Sequence, residues 1–211
     1  MSNVFLFGAS GKMGKEISKL IESDKKLKRT EKIESADVII DFSNAEAFLK
    51  NLQAALKNKT PFVCGTTGLS AKQFKALRMA SKKIPTLWAS NMSMGVTVIN
   101  EMLKNLRAIK DYDFSIEETH HIHKKDAPSG TALTIQSHLE KAIKKKIKDI
   151  TSHREGEVFG QHKVIIKGPE ETILIQHDAL NRTVFARGAV TCAKWILKKK
   201  AANYSIEDVL K

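Results

Sequence analysis

The sequence predicts an α/β protein in which a doubly wound parallel sheet is followed by a smaller α+β domain with a mixed sheet. Three observations support this prediction. Short continuous apolar runs alternate with amphipathic helical segments through the first half of the chain, as expected for parallel strands buried on both faces. The pattern changes near residue 93, after which longer strand-like segments dominate. The 211 residues, 42% of them hydrophobic, suffice for a sizeable core.

The first half contains four strand–helix pairs. Each apolar run is closed by Gly, Ser or Asn, and the segment after it has the apolar spacing of a helix that covers a sheet. The predicted strands span residues 3–8, 36–43, 61–65 and 85–90, and the helices after them span residues 12–21, 44–56, 70–81 and 95–109. This alternation is typical of a Rossmann-like domain.

The second half is predicted to begin with a strand over residues 112–121 and a helix over residues 129–147. After an irregular link come two strands, "EVFGQHKVIIKG" and "ETILIQHDA", joined by a turn at residues 168–170. Residues 183–200 return to helical spacing. These elements indicate an antiparallel or mixed sheet with one helix against it.

The strongly basic composition raises the question of a nucleic-acid partner. The formal net charge is +13, and lysines cluster at residues 25–29, 141–148 and 198–200. Aromatic residues make up only 6% of the chain, no stacking motif accompanies the clusters, and the second cluster keeps an apolar helix face. We interpret the clusters as solvated surfaces and expect no nucleic-acid partner. A general positive field would still attract small anions.

Cysteine content and hydropathy indicate a cytoplasmic protein. Cys64 and Cys192 are far apart and lack metal-ligand spacing, which predicts two buried thiols in a reducing compartment. No apolar run approaches the roughly 20 residues that a membrane-spanning helix needs. The apolar "VFLF" near the N-terminus breaks at once into "GASGKMG", so neither a signal peptide nor a membrane partner is expected.

A glycine-rich loop follows the first predicted strand and opens the first helix. Gly8, Gly11 and Gly14 allow a tight turn and let backbone N–H groups approach a pyrophosphate at the positive end of the helix dipole. The triplet alone would also suit an ordinary turn, but the strand before it and the helix after it favour a dinucleotide site. The loops at residues 64–68 and 89–95 follow two further strands with small polar residues that could line such a site.

Residues 117–132, "EETHHIHKKDAPSGTA", gather proton-carrying side chains just before a helix that is predicted to begin at Ser129 or Gly130. At neutral pH His120 can exchange protons with a reacting centre. Lys124 can pair with a substrate carboxylate, which the exposed N–H groups of Gly130 and Thr131 could also bind. In a fully extended chain His120 and Lys124 would lie roughly 13 Å apart, so the strand is expected to end near His121.

The three histidines of this stretch also allow a metal site. Neighbouring residues of a strand point to opposite faces, and no carboxylate or cysteine completes an evident ligand shell around His120, His121 and His123. No metal is therefore expected.

The stretch resembles the signature of the 4-hydroxy-tetrahydrodipicolinate reductase family, also called dihydrodipicolinate reductases, which runs E-x-H-H-x-x-K-x-D-A-P-S-G-T-A. The motifs "GASGKMG", "IDFS", "GTTG", "ASNMSMG", "HREGEVFGQH" and "RTVFARGAV" agree with the family in order and span nearly the whole chain. The resemblance implies reduction of a cyclic dicarboxylate precursor of diaminopimelate and lysine, with NADPH or NADH as hydride donor. It also implies a homotetramer.

The resemblance further implies domain boundaries and site residues. Residues 1–93, completed by 183–211, would form the dinucleotide-binding domain, and 94–182 the substrate-binding and oligomerisation domain. His120 and Lys124 would be catalytic, and His121, Gly130 and Thr131 would bind substrate. The implied cofactor-binding residues are Gly8, Ala9, Ser10, Gly11, Lys12, Met13, Gly65, Thr66, Thr67, Ala89, Ser90, Asn91 and Met92.

The chain departs from the family pattern in three places. Ile122 stands where arginine is frequent, the loop before "REG" is shortened, and only residues 22–35 separate the first helix from "ADVIID". The last departure reduces the second strand, which should contact the adenosine ribose, to a remnant. Two alternative functions stay open at this point: another nicotinamide-dependent oxidoreductase on the same fold, and a basic binding protein with a vestigial cofactor loop.

Overall fold

The computed structural model describes residues 1–211 and divides into two compact units, residues 1–94 with 183–211 and residues 95–182. The strands are β1 Ser2–Phe7, β2 Leu27–Arg29, β3 Val38–Asp41, β4 Phe62–Cys64, β5 Thr86–Trp88, β6 Asp113–His120, β7 Ile150–Arg154, β8 Gln161–Lys167, β9 Thr172–Asp178 and β10 Asn203–Tyr204. The helices are α1 Lys12–Glu22, α2 Ala45–Lys57, α3 Ala71–Ala80, α4 Met94–Leu103, α5 Gly130–Ile143 and α6 Thr183–Ile196.

The first unit is built on a six-stranded parallel sheet in the order β10-β5-β4-β3-β1-β2. Alternate residues of β3 feed two separate cores. Val38 and Ile40 pack into the core shared with α1 and α6, whereas Ile39 packs into the core shared with α2 and α3. Both faces of the sheet are thus covered, and the predicted Rossmann-like, doubly wound sheet is confirmed.

The two edge strands of this sheet are short: β2 lies within residues 22–35, where only a remnant of the second strand was expected, and β10 was not predicted. β2 has three residues and pairs in parallel with β1 through Ser2 and Leu27, while β10 pairs only through Asn203 and Tyr204. Nothing in so few residues distinguishes a strand from a loop.

The second unit is a four-stranded mixed sheet in the order β7-β6-β8-β9, in which only the β6–β7 pair is parallel. Helix α5 buries its apolar side against one face, together with inward residues of β6 and β8 such as Ile116 and Val164. The predicted mixed sheet with one helix is confirmed. The segment expected to be an irregular link contains β7, whose polar sequence, "ITSHR", gives no apolar alternation.

Three helices, α4, α5 and α6, end earlier than predicted, and α6 stops at Ile196 rather than at residue 200. Helix α5 stops at Ile143 because Lys144 adopts a left-handed backbone conformation, with φ of 56°, and Ile147 is buried from the loop beyond it. Helix α4 gives way after Leu103 to a 3₁₀ segment over residues 104–109. No helix in the structure has both the length and the apolar character required to cross a lipid bilayer.

Candidate active site

The loops predicted to bind a dinucleotide lie side by side at one edge of the parallel sheet. The strand register aligns Phe7, Asp41, Cys64 and Trp88, the last residues of β1, β3, β4 and β5. Backbone hydrogen bonds from the Gly65 N–H to the Asp41 carbonyl and from the Ala89 N–H to the Cys64 carbonyl continue this row beyond the strands. The structure therefore brings the loops at residues 8–13, 65–67 and 89–92 to the carboxyl edge where α/β sheets bind ligands.

The glycine-rich loop has the close packing that such a site requires. Gly8 has a φ of 80°, and a side chain there would lie 2.4 Å from the Phe42 carbonyl oxygen. A side chain at Gly14 would lie 2.1 Å from the Gly8 carbonyl oxygen. Helix α1 begins after Gly11, which offers no side-chain cap, so the first helical N–H groups remain available to an anion. These features fit a pyrophosphate.

The remaining predicted cofactor residues divide into exposed and buried groups. Exposed side chains that a ligand could contact are those of Ser10, Lys12, Thr67 and Ser90, while Ala9, Met13 and Asn91 are half-buried. Thr66, Ala89 and Met92 are buried. Gly65 packs against the Phe42 ring, which a side chain at position 65 would overlap at 2.2 Å. The buried residues can thus contribute backbone groups and shape, and the exposed ones direct contacts.

Asp41 ties two of these loops together and was not predicted as a site residue. Its Oδ1 accepts hydrogen bonds from the Ser43 N–H at 3.0 Å and from the hydroxyls of Ser43 at 2.6 Å and Thr66 at 3.4 Å. Burial raises its pKa. The signal in the sequence that could have identified it is an acidic residue directly after the apolar run "VII". Thr66 is thereby fixed next to the sheet edge.

Arg29 ends β2, which runs parallel to β1, and the register aligns it with Val4, three residues before the end of β1. Its guanidinium donates to the Ser18 hydroxyl at 3.1 Å and pairs with the carboxylate of exposed Glu31. Lys25 and Lys26 precede β2, since the Ser2 N–H bonds to the Lys26 carbonyl. The register consequently places these two lysines at the opposite end of the strand from Arg29.

The predicted proton-transfer residue His120 ends β6 in the second unit. Residues of β6 alternate strictly, so that Phe114, Ile116, Glu118 and His120 share the buried face. The chain then turns: the Lys124 N–H bonds to the His121 carbonyl at 3.1 Å. The expected end of the strand near residue 121 is confirmed, and the turn replaces the 13 Å separation of an extended chain.

A buried carboxylate lies beside His120. Glu118 Oε2 shares a short hydrogen bond with His120 Nδ1, and Oε1 accepts from Arg154 Nη2 at 2.9 Å and from the Ser129 N–H at 3.2 Å. The side chain of Glu118 has no solvent exposure, and that of His120 is 10% exposed. Four elements converge here: β6 carries Glu118 and His120, β7 carries Arg154, β8 carries His162, and Ser129 caps the start of α5. His162 packs edge-on against the His120 ring.

The electrostatics of this cluster follow from burial and pairing. Burial acts to raise the pKa of Glu118, but hydrogen bonds from Arg154, Ser152 and His120 outweigh it and lower that pKa. Burial lowers the pKa of His120, with Glu118 opposing the shift and the cations Lys124 and Arg154 reinforcing it. Burial also lowers the pKa of His162 to about 3, so this ring is neutral. Because the pKa of Glu118 is itself lowered, Glu118 is ionised at neutral pH.

Lys124 binds a carboxylate of the chain itself, close in sequence to the start of α5. Lys124 Nζ lies 2.8 Å from Asp126 Oδ1. Burial acts to raise the pKa of that carboxyl, but Lys124 and the backbone N–H groups of Asp126 and Gly130 outweigh it and lower that pKa. The helix begins at the expected residue, with Ser129 as N-cap and its hydroxyl accepting from the Ala132 N–H. Thr131 is half-buried in the first turn. Asp126 marks a position where a carboxylate is bound.

The other histidines and the following loop complete the surroundings. His121 is half-buried, donates its N–H to the Val158 carbonyl at 2.7 Å, and has a buried Nδ1 without a hydrogen-bond partner, while His123 is exposed. A side chain at Gly160 would lie 3.1 Å from His120 Nε2, so this glycine keeps that nitrogen uncrowded. The motif "HREGEVFGQH" contains Arg154, Gly160 and His162, to which the sequence alone assigns no role.

Glu118, His120 and His162 also form a constellation that could hold a metal ion, with donor atoms within 4.8 Å of one another. The Glu118 carboxylate is already neutralised by Arg154, and His162 Nε2 lies 3.2 Å from the Ser129 hydroxyl. A cation at this point would compete with Arg154 and with Lys124 for negative charge. The donor set thus fits proton transfer better than metal binding.

Comparison with known proteins matches both units to one family. The family model described as "Dihydrodipicolinate reductase, N-terminus" matches residues 27–92, and "Dihydrodipicolinate reductase, C-terminus" matches residues 95–210. The 4-hydroxy-tetrahydrodipicolinate reductase of Bdellovibrio bacteriovorus is 48% identical over 97% of this chain and 94% of that protein. The protein of the same name from Rickettsia bellii is 38% identical over 99% of this chain and 94% of that protein.

A solved structure agrees with the fold. The dipicolinate-bound dihydrodipicolinate reductase of Paenisporosarcina sp. TG-14 matches with a TM-score of 0.82 over 99% of both chains, at 20% identity. That similarity shows the shared architecture, and the family models and the closer relatives show descent. The chain is therefore a member of the dihydrodipicolinate reductase family.

Proposed function

We propose that this protein reduces 4-hydroxy-tetrahydrodipicolinate to tetrahydrodipicolinate, a step toward diaminopimelate and lysine, with NADPH or NADH. Family membership and the glycine loop support a nicotinamide cofactor. The observation that carries the proposal is that one unit holds both a buried histidine paired with a carboxylate and, just before a helix N-terminus, a lysine that binds a carboxylate. One hydride, one proton and loss of the 4-hydroxyl group as water balance the conversion.

Each residue has a defined task in this proposal. The backbone N–H groups at the start of α1, with Gly8 and Gly11, bind the cofactor phosphates. A bound nicotinamide supplies the hydride. His120 delivers the proton that the reduced substrate must gain. Lys124 and the Gly130 N–H bind one substrate carboxylate, which takes the position that the Asp126 carboxylate occupies beside Lys124. Thr131 and His121 contact the substrate next to them.

The proposed reaction is tested by supplying the condensation product of pyruvate and aspartate semialdehyde and following cofactor oxidation by absorbance. We expect turnover with NADPH and with NADH, and we expect it to persist in EDTA because no metal is proposed. Turnover with other carbonyl or imine substrates, and none with this one, would favour a different oxidoreductase. Absence of turnover with either cofactor would contradict the proposal.

We expect relaxed cofactor choice with a preference for NADPH. In this proposal Arg29 contacts a ribose 2′-phosphate, while its ion-pair partner Glu31 can accept from the bare 2′-hydroxyl of NADH. Arg29→Gln removes a charge-assisted hydrogen bond worth about 1.5 to 3 kcal/mol, so kcat/KM for NADPH should fall about tenfold or more. The value for NADH should change little.

Lys26→Gln is the matched control for this prediction, because it removes a nearby positive charge at the opposite end of β2. It should leave the ratio of the two kcat/KM values within about twofold, as expected for a screened surface charge. A strong NADH preference that persists in the Arg29 variant would contradict the role of Arg29.

We further propose that residues 1–93 with 183–211 bind the dinucleotide and that residues 94–182 bind substrate and form a cytoplasmic homotetramer. The sheet face of the second unit that α5 leaves uncovered carries Leu174, which is 54% exposed. Sedimentation velocity should show a tetramer at working concentration. A monomer throughout the micromolar range would contradict the assembly and leave the catalytic proposal intact.

A further inference from the structure

We propose that Glu118 is a positioning residue that holds His120 as its Nδ1–H tautomer, so that Nε2 exchanges the proton with the substrate. This inference rests on the proposed function, in which His120 delivers that proton. Glu118 lies two residues before His120 on the same buried face of β6, where a carboxylate is rare unless it is paired. It is not among the residues assigned a role by the family signature above.

The first argument is that Glu118 acts as an ionised acceptor. Its carboxylate accepts hydrogen bonds from Arg154 Nη2 at 2.9 Å and from the Ser129 N–H at 3.2 Å. It also shares a hydrogen bond with His120 Nδ1. Arg154 cannot lose its proton in a protein, and a backbone amide can only donate. Both groups donate to Oε1, and the fixed positive charge of Arg154 with the lowered pKa of Glu118 favours the ionised carboxylate, which accepts at Oε2 from His120.

The tautomer follows from this arrangement. Because an ionised carboxylate only accepts, His120 Nδ1 must carry a proton whether the ring is neutral or charged. In the neutral ring Nε2 then has a free lone pair, and in the imidazolium Nε2–H is the proton available for transfer. The space that Gly160 leaves beside Nε2, with no side chain to crowd it, agrees with that use.

The second argument concerns the charge balance around the His120 ring. The charged and titratable groups that face it are Glu118 on the same strand, Lys124 in the turn, Arg154 on β7 and His162 on β8. His162 is neutral, and both cations disfavour the imidazolium. Glu118 provides the opposing negative charge, and it therefore determines how readily His120 can hold the proton that it must deliver.

The tautomer can be measured directly in the unmodified protein. Two-bond ¹⁵N–¹H correlations of the imidazole rings distinguish the Nδ1–H from the Nε2–H form, and the His120 signals are identified by their loss in His120→Gln. At a pH where the ring is neutral we expect the Nδ1–H tautomer. This measurement needs no substrate, so it stands even if the proposed reaction is wrong.

The variant Glu118→Gln tests the consequence. A neutral amide can donate to Nδ1 and favour the wrong tautomer, so kcat should fall about 10²-fold. The alkaline limb of kcat/KM should move to lower pH by about 1 to 3 units, because the imidazolium loses its nearby opposite charge. The neutral His120 ring should gain Nε2–H character in the NMR spectrum.

Glu140→Gln is the matched control. Glu140 is a carboxylate of the same unit with 16% side-chain exposure and three partners, Lys146 at 2.9 Å, the Ile147 N–H at 3.0 Å and Gln136 at 3.2 Å. Its loss should lower thermal stability without moving the pH limb or the His120 tautomer. A purely structural role for Glu118 would give the same pattern as this control.

Two outcomes would overturn the inference. One is a neutral His120 that is the Nε2–H tautomer in the unmodified protein, which decides the matter even if Glu118→Gln fails to fold. The other is a folded Glu118→Gln variant that keeps both the tautomer and the position of the alkaline limb. Failure of the unmodified protein to turn over substrate, with the Nδ1–H tautomer observed, would instead contradict only the proposed function.

Discussion

Replacing His120 by glutamine should lower kcat by roughly 10² to 10⁴, the contribution of a positioned general acid, with only a modest change in KM. Hydride delivery leaves an electron-rich centre in the substrate that must gain a proton, and glutamine has none to give at neutral pH. In the proposed function Lys124 and the Gly130 N–H hold one substrate carboxylate, so binding should largely persist. Cofactor affinity, measured by fluorescence without substrate, should also persist, because Gly8 and Gly11 belong to the other unit.

The pH dependence should identify the same residue. A general acid works in its protonated form, so kcat/KM should fall as pH rises through the pKa of His120 in the free protein. Burial lowers that pKa below its usual value of about 6.5. A bound dicarboxylate adds negative charge and favours the imidazolium, so the limb in kcat should lie at higher pH than the limb in kcat/KM. Neither limb should remain in the glutamine variant.

His123→Gln is the control for this prediction, since His123 is an exposed ring in the turn that follows β6. It should retain nearly normal kcat and both pH limbs. If chemistry limits turnover and the His120 variant keeps a near-normal kcat across neutral pH, another group delivers the proton.

The parallel sheet could be predicted because its central strands are continuous apolar runs that end in small polar residues. "DVIID" and "PFVC" must be buried on both faces, and that requirement determines the architecture before any partner strand is known. β7 could not be predicted in this way. Its residues Thr151, Ser152 and His153 acquire strand geometry only because β6 offers an unpaired edge, which is a property of the tertiary structure.

The candidate site likewise contains residues that the sequence indicates and residues that only the tertiary structure identifies. His120 and Lys124 stood out because titratable residues cluster before a helix start, whereas Glu118, although it matches the first residue of the signature, was given no role. The period-two alternation through Phe114 and Ile116 places Glu118 on the buried face, and a carboxylate there needs partners. One partner, Arg154, lies 36 residues away, and no local pattern indicates that distance.

Lys124→Ala is expected to fail differently from the histidine variant, with a raised KM as well as a lowered kcat. Lys124 Nζ lies 2.8 Å from Asp126 Oδ1, which shows that it is placed to bind a carboxylate. A charge-assisted hydrogen bond of this kind is worth about 1.5 to 3 kcal/mol, so KM should rise about tenfold or more. The loss of kcat follows because the same positive charge stabilises negative charge that develops during hydride transfer. Steady-state kinetics with saturating cofactor measure both constants.

Lys125→Ala removes the neighbouring positive charge from an exposed position and should leave both constants nearly unchanged. The double variant His120→Gln, Lys124→Ala completes the test. Because both residues act on one transition state, its kcat/KM should fall by less than the product of the two single effects. Fully multiplicative losses would show that the two side chains act independently. An unchanged KM in Lys124→Ala would mean that Gly130 and the remaining α5 N-terminus hold the carboxylate without the lysine.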